Sequence, residues 1–436
     1  MELWCQVIAI PFDCSIPAFI ESFLNIILMN KRKLVVIGGG AAGFFCAVNA
    51  ARIQPQLQVV LLEKTGKLLS KVKVSGGGRC NVTHHCFSMA EMIKKYPRGS
   101  SFLKKAFYHF FTTDTIQWFK ERGVELKNEA DGRMFPVTDN SQTIIDCLLA
   151  EASKYNVQIE MNTDVKEIIN QNDHWIITTS TNKNFIADKL CIASGGSSKS
   201  SQFDWLTKLG HTIAAPVPSL FTFNMQGNTI TKLMGVSVEN VTVKITGEKL
   251  QTDGPLLITH WGMSGPAILK MSSHAAVLLA QKNYDFTVLI NWLPPYNEIT
   301  LKDKILQYRF ELAAQKIQNR NPFFLPARLW EYLLEVSEIK EGIRWAELPA
   351  KEQNKLIKNI CTQTFVVKGK TTFKEEFVTA GGINTEEINV NSMESKIQNN
   401  LFFAGEVINV DGVTGGFNFQ NAWTTGWIAA KAIAEA

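Results

Sequence analysis

Charged residues are sparse in this chain of 436 residues: Asp, Glu, Lys and Arg together make up 19%, against 45% apolar residues. That balance excludes an intrinsically disordered protein and leaves enough apolar material for more than one core. The net charge of +5 comes without the dense Lys/Arg clusters of a dedicated nucleic-acid binder. Cysteine is scarce too. The eight cysteines, at 5, 14, 46, 80, 86, 147, 191 and 361, show no CxxC spacing. This excludes a disulfide scaffold and the dithiol of a disulfide reductase, and makes a reducing cytoplasm the expected compartment. Neither a Ser/His/Asp triad nor a glycosidase carboxylate pair has supporting context.

The first 29 residues are apolar but lack a basic stretch ahead of the apolar run, and they carry Glu2, Asp13, Glu21 and two prolines. A signal peptide or membrane span fits that pattern poorly, with a peripheral membrane anchor as the rival reading. Met29 stands before NKRKLVVIGGG, a short basic lead into a buried strand. Residues 1–29 are therefore expected to be an apolar extension ahead of a natural start at Met29.

What is present begins at residues 34–37, a β-branched run that breaks into GGGAAG at 38–43, followed by apolar residues at helical spacing to about Arg52. A second buried run, residues 58–62, ends on Glu63, twenty residues after Gly43. This is the strand, glycine turn and helix of a dinucleotide site. Gly38 permits the tight turn, Gly40 lets the backbone approach a pyrophosphate, Gly43 lets helix and strand pack, and Ala41 and Ala42 open the helix whose N–H groups face the anion. Glu63, with Lys64 behind it, is placed to accept from ribose hydroxyls. An acid there disfavours a 2′-phosphate, so FAD or NAD is expected rather than NADP.

Residues 75–85 read SGGGRCNVTHH, with Cys86 behind them. Taken alone, this stretch is open to three readings: a metal site, a reactive thiol, or a loop cradling a phosphate. C-x3-H-H-C is not a recognised zinc spacing, and no distant Cys/His pair completes it, so no metal is expected. Further on, residues 189–193 run apolar into SGGS, and residues 400–404 run apolar into Gly405-Glu406, a glycine turn and an Ala-rich helix.

GGGAAG, EK, KVKVSGGGRCNVTH, DGRMFPVTDNSQTIID, ASGG, THWGMSGPAIL, FVTAGGIN, SMESK and AGEVINVDGVTGGFNFQNAW occur in that order. In these motifs, over about residues 30–436, the chain resembles the BaiN/RdsA/aminoacetone oxidase family of FAD-binding flavoproteins. The resemblance implies an α/β fold: a Rossmann-like FAD domain of the two-dinucleotide-binding-domain type, interrupted by an insertion with a β-barrel-like part and a small helical part. The expected boundaries are 30–200 plus 370–436 for the FAD domain, 201–298 plus 363–369 for the β-rich insert and 299–362 for the helical insert. Short β-rich runs over 201–298 and Lys-, Gln- and Leu-rich runs over 300–362 agree with that division.

The resemblance also implies cofactor contacts. Ser75, Gly76, Gly77, Gly78, Arg79 and Asn81 run along the FAD pyrophosphate and ribityl chain, with Lys71 neutralising charge nearby. Val165 meets the adenine through its backbone, Gly195 and Gly196 return the chain past the nucleotide, and Gly405 and Glu406 face the ribityl chain. Asp411, Gly415, Gly416 and Asn418 belong to the turn and helix start that point at the flavin. Asn409 and Phe417 depart from the family, which usually has aspartate and tyrosine there, so a mechanism relying on that tyrosine does not transfer.

FAD carries the electrons, and the protein has to position a substrate and move one proton. Three residues are candidates. His260, before a glycine turn in LITHWGMSGPA, reads as a general acid or as a structural histidine. Cys80 reads as a proton donor or a small buried residue, and Arg79 as a contact to cofactor or substrate. Arg133, in DGRMFP, reads as a border of the active-site mouth or a solvated arginine. No second GxGxxG with an acidic strand end is present, so NAD(P)H is expected only as a transient donor. The expected reaction is reduction of a polarised C=C bond by hydride transfer from flavin, with uridine in 23S ribosomal RNA as the first substrate choice; the Lys-rich runs KDKILQYRF and AAQKIQNRNPFFLPAR lean that way. The alternatives are a bile-acid-type enone reductase, an aminoacetone oxidase and, in another class, a non-catalytic FAD-binding RNA or assembly factor.

Overall fold

The computed structural model describes residues 32–197, 199–371 and 378–435. The apolar extension over residues 1–29 lies outside the described residues. Five parallel strands form the central sheet in the order Leu401–Phe403, Lys189–Ile192, Lys33–Ile37, Gln58–Leu62 and Gln158–Glu160. The runs LVVI and VVLL are apolar without alternation and wholly inside, the pattern of parallel strands covered on both faces. The helix Ala41–Ile53 packs lengthwise on the final helix Phe417–Glu435. Gly426 permits that approach, because a Cβ there would meet the Ala42 carbonyl oxygen at 2.8 Å. Trp423 on the final helix is core: it is wholly buried, and its Nε1 donates to the Val82 carbonyl oxygen at 2.9 Å. A three-stranded antiparallel sheet, Val165–Gln171, His174–Thr179 and Asn184–Ala187, packs against the central strands. This is the Rossmann-like architecture expected from the glycine turn.

A second core gathers buried residues between Phe221 and Val367, whereas the first draws on residues 34–209 and 383–433. Phe203, Leu206 and Leu209 belong to the first core, so the stretch from 201, expected in the insert, begins on the other side. The second core is built on a seven-stranded antiparallel sheet in the order Gln363–Lys368, Asp285–Asn291, Ser237–Ile245, Gln251–Thr259, Gly262–Ser264, Thr222–Asn224 and Lys370–Thr371. The first and last of these are consecutive in the chain across Gly369, whose carbonyl oxygen accepts from the Asn224 N–H at 3.3 Å. Lys370 and Thr371 thereby pair inside this sheet, although they were expected in the FAD domain. Two helices, Pro266–His274 and Ala276–Gln281, interrupt the stretch expected to be β-rich; Pro266 supplies a helix-compatible φ and a missing N–H where none is needed. Three longer helices, Glu298–Glu311, Ala327–Val336 and Ala350–Cys361, follow, the first starting one residue ahead of the stretch 299–362 read as helical. The antiparallel pair Ile213–Ser219 and Val378–Ile383 connects the two cores.

Candidate cofactor site

The glycines of the first turn have different surroundings. A Cβ on Gly38, at φ +116°, would meet the Ala193 carbonyl oxygen at 2.3 Å, and one on Gly43 would meet the Gly38 carbonyl oxygen at 1.9 Å. Both positions serve close backbone packing. At Gly40, by contrast, a Cβ would meet nothing within 4 Å. Gly40 is the N-cap of Ala41–Ile53, and no side chain caps that helix. The first N–H groups therefore keep their partial positive charge beside an open side of the backbone, where a phosphate fits.

Glu63 leaves the second strand with its carboxylate turned back on this loop. Its Oε2 accepts from the Gly39 N–H at 2.9 Å, and its Oε1 accepts from the Thr65 N–H and hydroxyl at 2.8 Å each. The Glu63 carbonyl oxygen accepts from the Thr163 N–H at 2.8 Å, bringing the start of the strand at Val165 alongside. Lys64 is exposed.

The chain next folds over the turn, the Leu69 N–H donating to the Gly39 carbonyl oxygen at 2.9 Å. Lys71 Nζ then lies 2.6 Å from Glu406 Oε2, while Glu406 Oε1 accepts from the Thr379 N–H at 2.7 Å. A Cβ on Gly196 would meet Thr379 Oγ1 at 2.4 Å and Glu406 Oε1 at 2.8 Å, and one on Gly195 would approach Glu406 to 4.0 Å. Gly405 sits against Ala42, 2.7 Å from its methyl if given a Cβ. Residues far apart in sequence thus converge on one place.

The stretch read as a loop starts as a helix over Ser70–Gly78 that breaks at Ser75 (φ −62°, ψ 146°) and turns left-handed at Gly76 and Gly77, at φ +59° and +69°. Ser75 uses its hydroxyl on the Val72 carbonyl oxygen at 3.0 Å. Gly77 and Gly78 have open space where a side chain would go, whereas Gly76 is packed on the Phe135 ring. The far end of the stretch docks on the start of the final helix. The Asn81 amide accepts from the Gly416 N–H and donates to the Thr83 carbonyl oxygen, both at 3.0 Å, and Thr83 Oγ1 donates to Gln420 Oε1 at 2.6 Å. His84 Nδ1 lies 3.0 Å from the Gly415 carbonyl oxygen, and its ring lies 4.6 Å from that of Phe417. Burial holds this imidazole below its ordinary pKa, the Gly415 bond working against it.

The three catalytic candidates are separated by their environments. Cys80 is wholly buried and its thiol is pushed up to about 12 by burial, so it holds its proton in the core. Arg79 Nη1 pairs with Glu129 at 2.5 Å and with Asp139 at 3.5 Å, and its guanidinium lies 4.0 Å from the centre of the Phe135 ring. The Glu129 hydrogen bond is the main reason its pKa is raised. Arg133 is bound to Asp131 and Glu129. His260 is exposed at the tip of the hairpin between Gln251–Thr259 and Gly262–Ser264, edge-on to Trp261 at 4.3 Å. Trp261 Nε1 donates to Thr222 Oγ1 at 3.0 Å, three residues from Ser219 at the end of the connecting strand.

Asp411 and Asn418, read as cofactor contacts, spend their side chains on the protein. Asn418 bonds both the N–H and the carbonyl oxygen of Gly412, at 2.8 and 2.9 Å. Asp411 is wholly buried, takes Arg98 on both oxygens and accepts from Ser219 Oγ at 3.0 Å. Arg98, Thr379 and His84 had no place in the sequence-based site. Thr379 lay within the motif FVTAGGIN and His84 within SGGGRCNVTHH, but neither motif names the partner that makes the residue matter.

These residues fit FAD. The open backbone at Gly40 and the uncapped helix suit a pyrophosphate, Gly77 and Gly78 leave further open backbone, and the carboxylates of Glu63 and Glu406 are acceptors of the kind that hydroxyls need. Among the described residues, no helix is long and apolar enough to cross a membrane.

Comparison with known proteins places the chain. The HI0933-like protein Rossmann domain matches residues 32–432. The 3-dehydro-bile acid delta(4,6)-reductase of Clostridium scindens is 27% identical over 93% of this chain and 99% of its own length. The ribosomal RNA dihydrouridine synthase of Escherichia coli is 29% identical over 94% of this chain and 99% of its own. Among solved structures, the 3-ketosteroid delta1-dehydrogenase of Sterolibacterium denitrificans shares the fold at a TM-score of 0.51 and 10% identity, over 92% of this chain and 99% of that one. The chain belongs to the HI0933-like Rossmann family and is an FAD-dependent oxidoreductase.

Proposed function

We propose that this oxidoreductase reduces a polarised C=C bond, and that its substrate is uridine in 23S ribosomal RNA, which becomes dihydrouridine. The observation that carries this reading is the similarity, over nearly the full length of both chains, to a ribosomal RNA dihydrouridine synthase. The basic runs KDKILQYRF and AAQKIQNRNPFFLPAR add support, since phosphate contacts dominate RNA binding. A second reading, reduction of a small enone, is favoured by the comparable similarity to a bile-acid reductase.

Bound FAD supplies the two-electron chemistry, refilled by NAD(P)H as a transient donor. The protein's part is to bind, orient and move a proton. Gly40 and the start of Ala41–Ile53 would hold the pyrophosphate, and Glu63 and Glu406 would take hydroxyls of the cofactor. Lys71 balances the Glu406 charge at 2.6 Å. His260 holds the proton for the substrate carbon that does not receive the hydride. It is the candidate whose side chain is exposed and, among the described residues, not engaged in an ion pair, whereas Cys80 is buried and Arg79 is bound to Glu129.

The test is mass spectrometry of 23S ribosomal RNA from a host strain lacking the protein. A dihydrouridine has to disappear and return on complementation. Unchanged RNA sinks the RNA substrate, and the small-enone reading is then tested by anaerobic flavin reoxidation with a conjugated steroid ketone.

A further inference from the structure

We propose that Thr379 is a cofactor-binding residue whose hydroxyl pairs with a hydroxyl of the FAD ribityl chain beside Glu406. The inference rests on the FAD reading and adds a residue to it. Thr379, on the strand Val378–Ile383, is wholly buried, and its Oγ1 has no hydrogen-bond partner among the described residues. A buried hydroxyl in that state has lost its water and gained nothing in return. Its own N–H is occupied, donating to Glu406 Oε1 at 2.7 Å.

The surroundings indicate what the hydroxyl waits for. Gly196 passes so close that a methyl group there would lie 2.4 Å from Thr379 Oγ1, so the return strand comes to this hydroxyl only as glycine. Among the described residues Glu406 has one partner on each oxygen, Lys71 and the Thr379 N–H. A carboxylate oxygen has a second lone pair to offer, and a threonine hydroxyl both donates and accepts. A polyol hydroxyl serves both at once: it donates to Glu406 and exchanges a bond with Thr379. A phosphate oxygen, which only accepts, meets a carboxylate here and is disfavoured. The pyrophosphate therefore goes to the open side of Gly40, and the polyol segment comes to Thr379.

The test uses the full chain stripped of cofactor and titrated separately with FAD and with ADP, which lacks the ribityl chain. Thr379→Val keeps the volume and removes the hydroxyl; it is expected to weaken FAD binding about tenfold and leave ADP unchanged. Thr379→Ser should bind FAD like the unaltered chain. In thermal denaturation without cofactor, Thr379→Val should melt at the same temperature or higher, because an unpartnered hydroxyl has gone. Thr379→Ala, which also lacks the hydroxyl, has to show the same split between FAD and ADP, so the result does not hang on one variant folding well. Equal FAD affinity with and without the hydroxyl, or equal weakening of FAD and ADP, overturns this assignment alone. An unaltered chain that binds no FAD overturns the cofactor reading, and the assignment falls with it.

Discussion

Arg98 grips both carboxylate oxygens of the wholly buried Asp411, and its Nη2 also donates to the Ser273 carbonyl oxygen at 2.8 Å. Asp411 belongs to the turn before the final helix and Ser273 to the helix that follows the His260 hairpin. One guanidinium therefore ties the cofactor side of the molecule to the insert. Burial pushes the Asp411 carboxyl above its ordinary pKa, and Arg98 opposes that shift.

Removing the guanidinium should be costly. Arg98→Met is expected to destabilise the protein by about 3–5 kcal/mol, because an unpaired carboxylate is left in the core. Asp411→Asn added to Arg98→Met should recover part of the loss in chemical denaturation. The raised carboxyl pKa sets the sign of the pH effect: the deficit of Arg98→Met shrinks as pH falls towards the carboxylate range and Asp411 takes up a proton.

Two glycines of one turn should respond in opposite ways. Gly40→Ala points its methyl into open space at an ordinary backbone angle of φ −93°, so stability should change by less than about 1 kcal/mol. FAD affinity should fall tenfold or more, roughly 1.4 kcal/mol. Gly43→Ala drives a methyl to 1.9 Å from the Gly38 carbonyl oxygen and should destabilise the fold by about 1–3 kcal/mol or more. Thermal melts with and without FAD separate the two effects. A Gly40→Ala protein that retains FAD fully would refute the phosphate placement.

Cysteine reactivity follows burial. Of the free cysteines described, Cys86 alone is not buried, and the Cys80 thiol, with an ordinary value of 9.0, is pushed up to about 12 by burial. Mild alkylation of the native protein should label Cys86 first and spare Cys80, as peptide mapping can check. Because the folded value lies above the unfolded one, the stability tied to this thiol is intact below 9.0 and is lost as pH rises towards about 12. Cys147 and Cys361, pushed up to about 11 and about 12, add to the same alkaline loss. Cys80→Ala should flatten part of that slope.

His260 offers the test of proton delivery. His260→Asn at the exposed hairpin tip should alter stability by less than about 0.5 kcal/mol. Turnover should fall roughly a hundredfold or more with substrate binding little changed. Turnover equal to that of the unaltered enzyme would remove His260 from the mechanism.

What sequence alone determined here is local: a strand, a turn with glycine at its first, third and sixth positions, a helix and an acidic strand end. Each follows from backbone geometry within some thirty residues, where Gly38 needs its left-handed φ and Gly43 its bare Cα against a carbonyl. The roles of the glycines at 76–78 and of the turn before the final helix came instead from the resemblance to a known family, since residues 75–85 taken alone stayed open to three readings. Tertiary structure alone decided which polar side chains serve the cofactor and which serve the fold. Arg79 is held by Glu129, 50 positions away; Lys71 meets Glu406 across 335, and Arg98 meets Asp411 across 313. No periodicity records such pairings, because a charge carries no mark of its partner until the sheet brings both to one place. Thr379 shows the same limit: in the sequence it is one hydroxyl among many, and its missing partner becomes visible only when burial removes the water that would otherwise satisfy it.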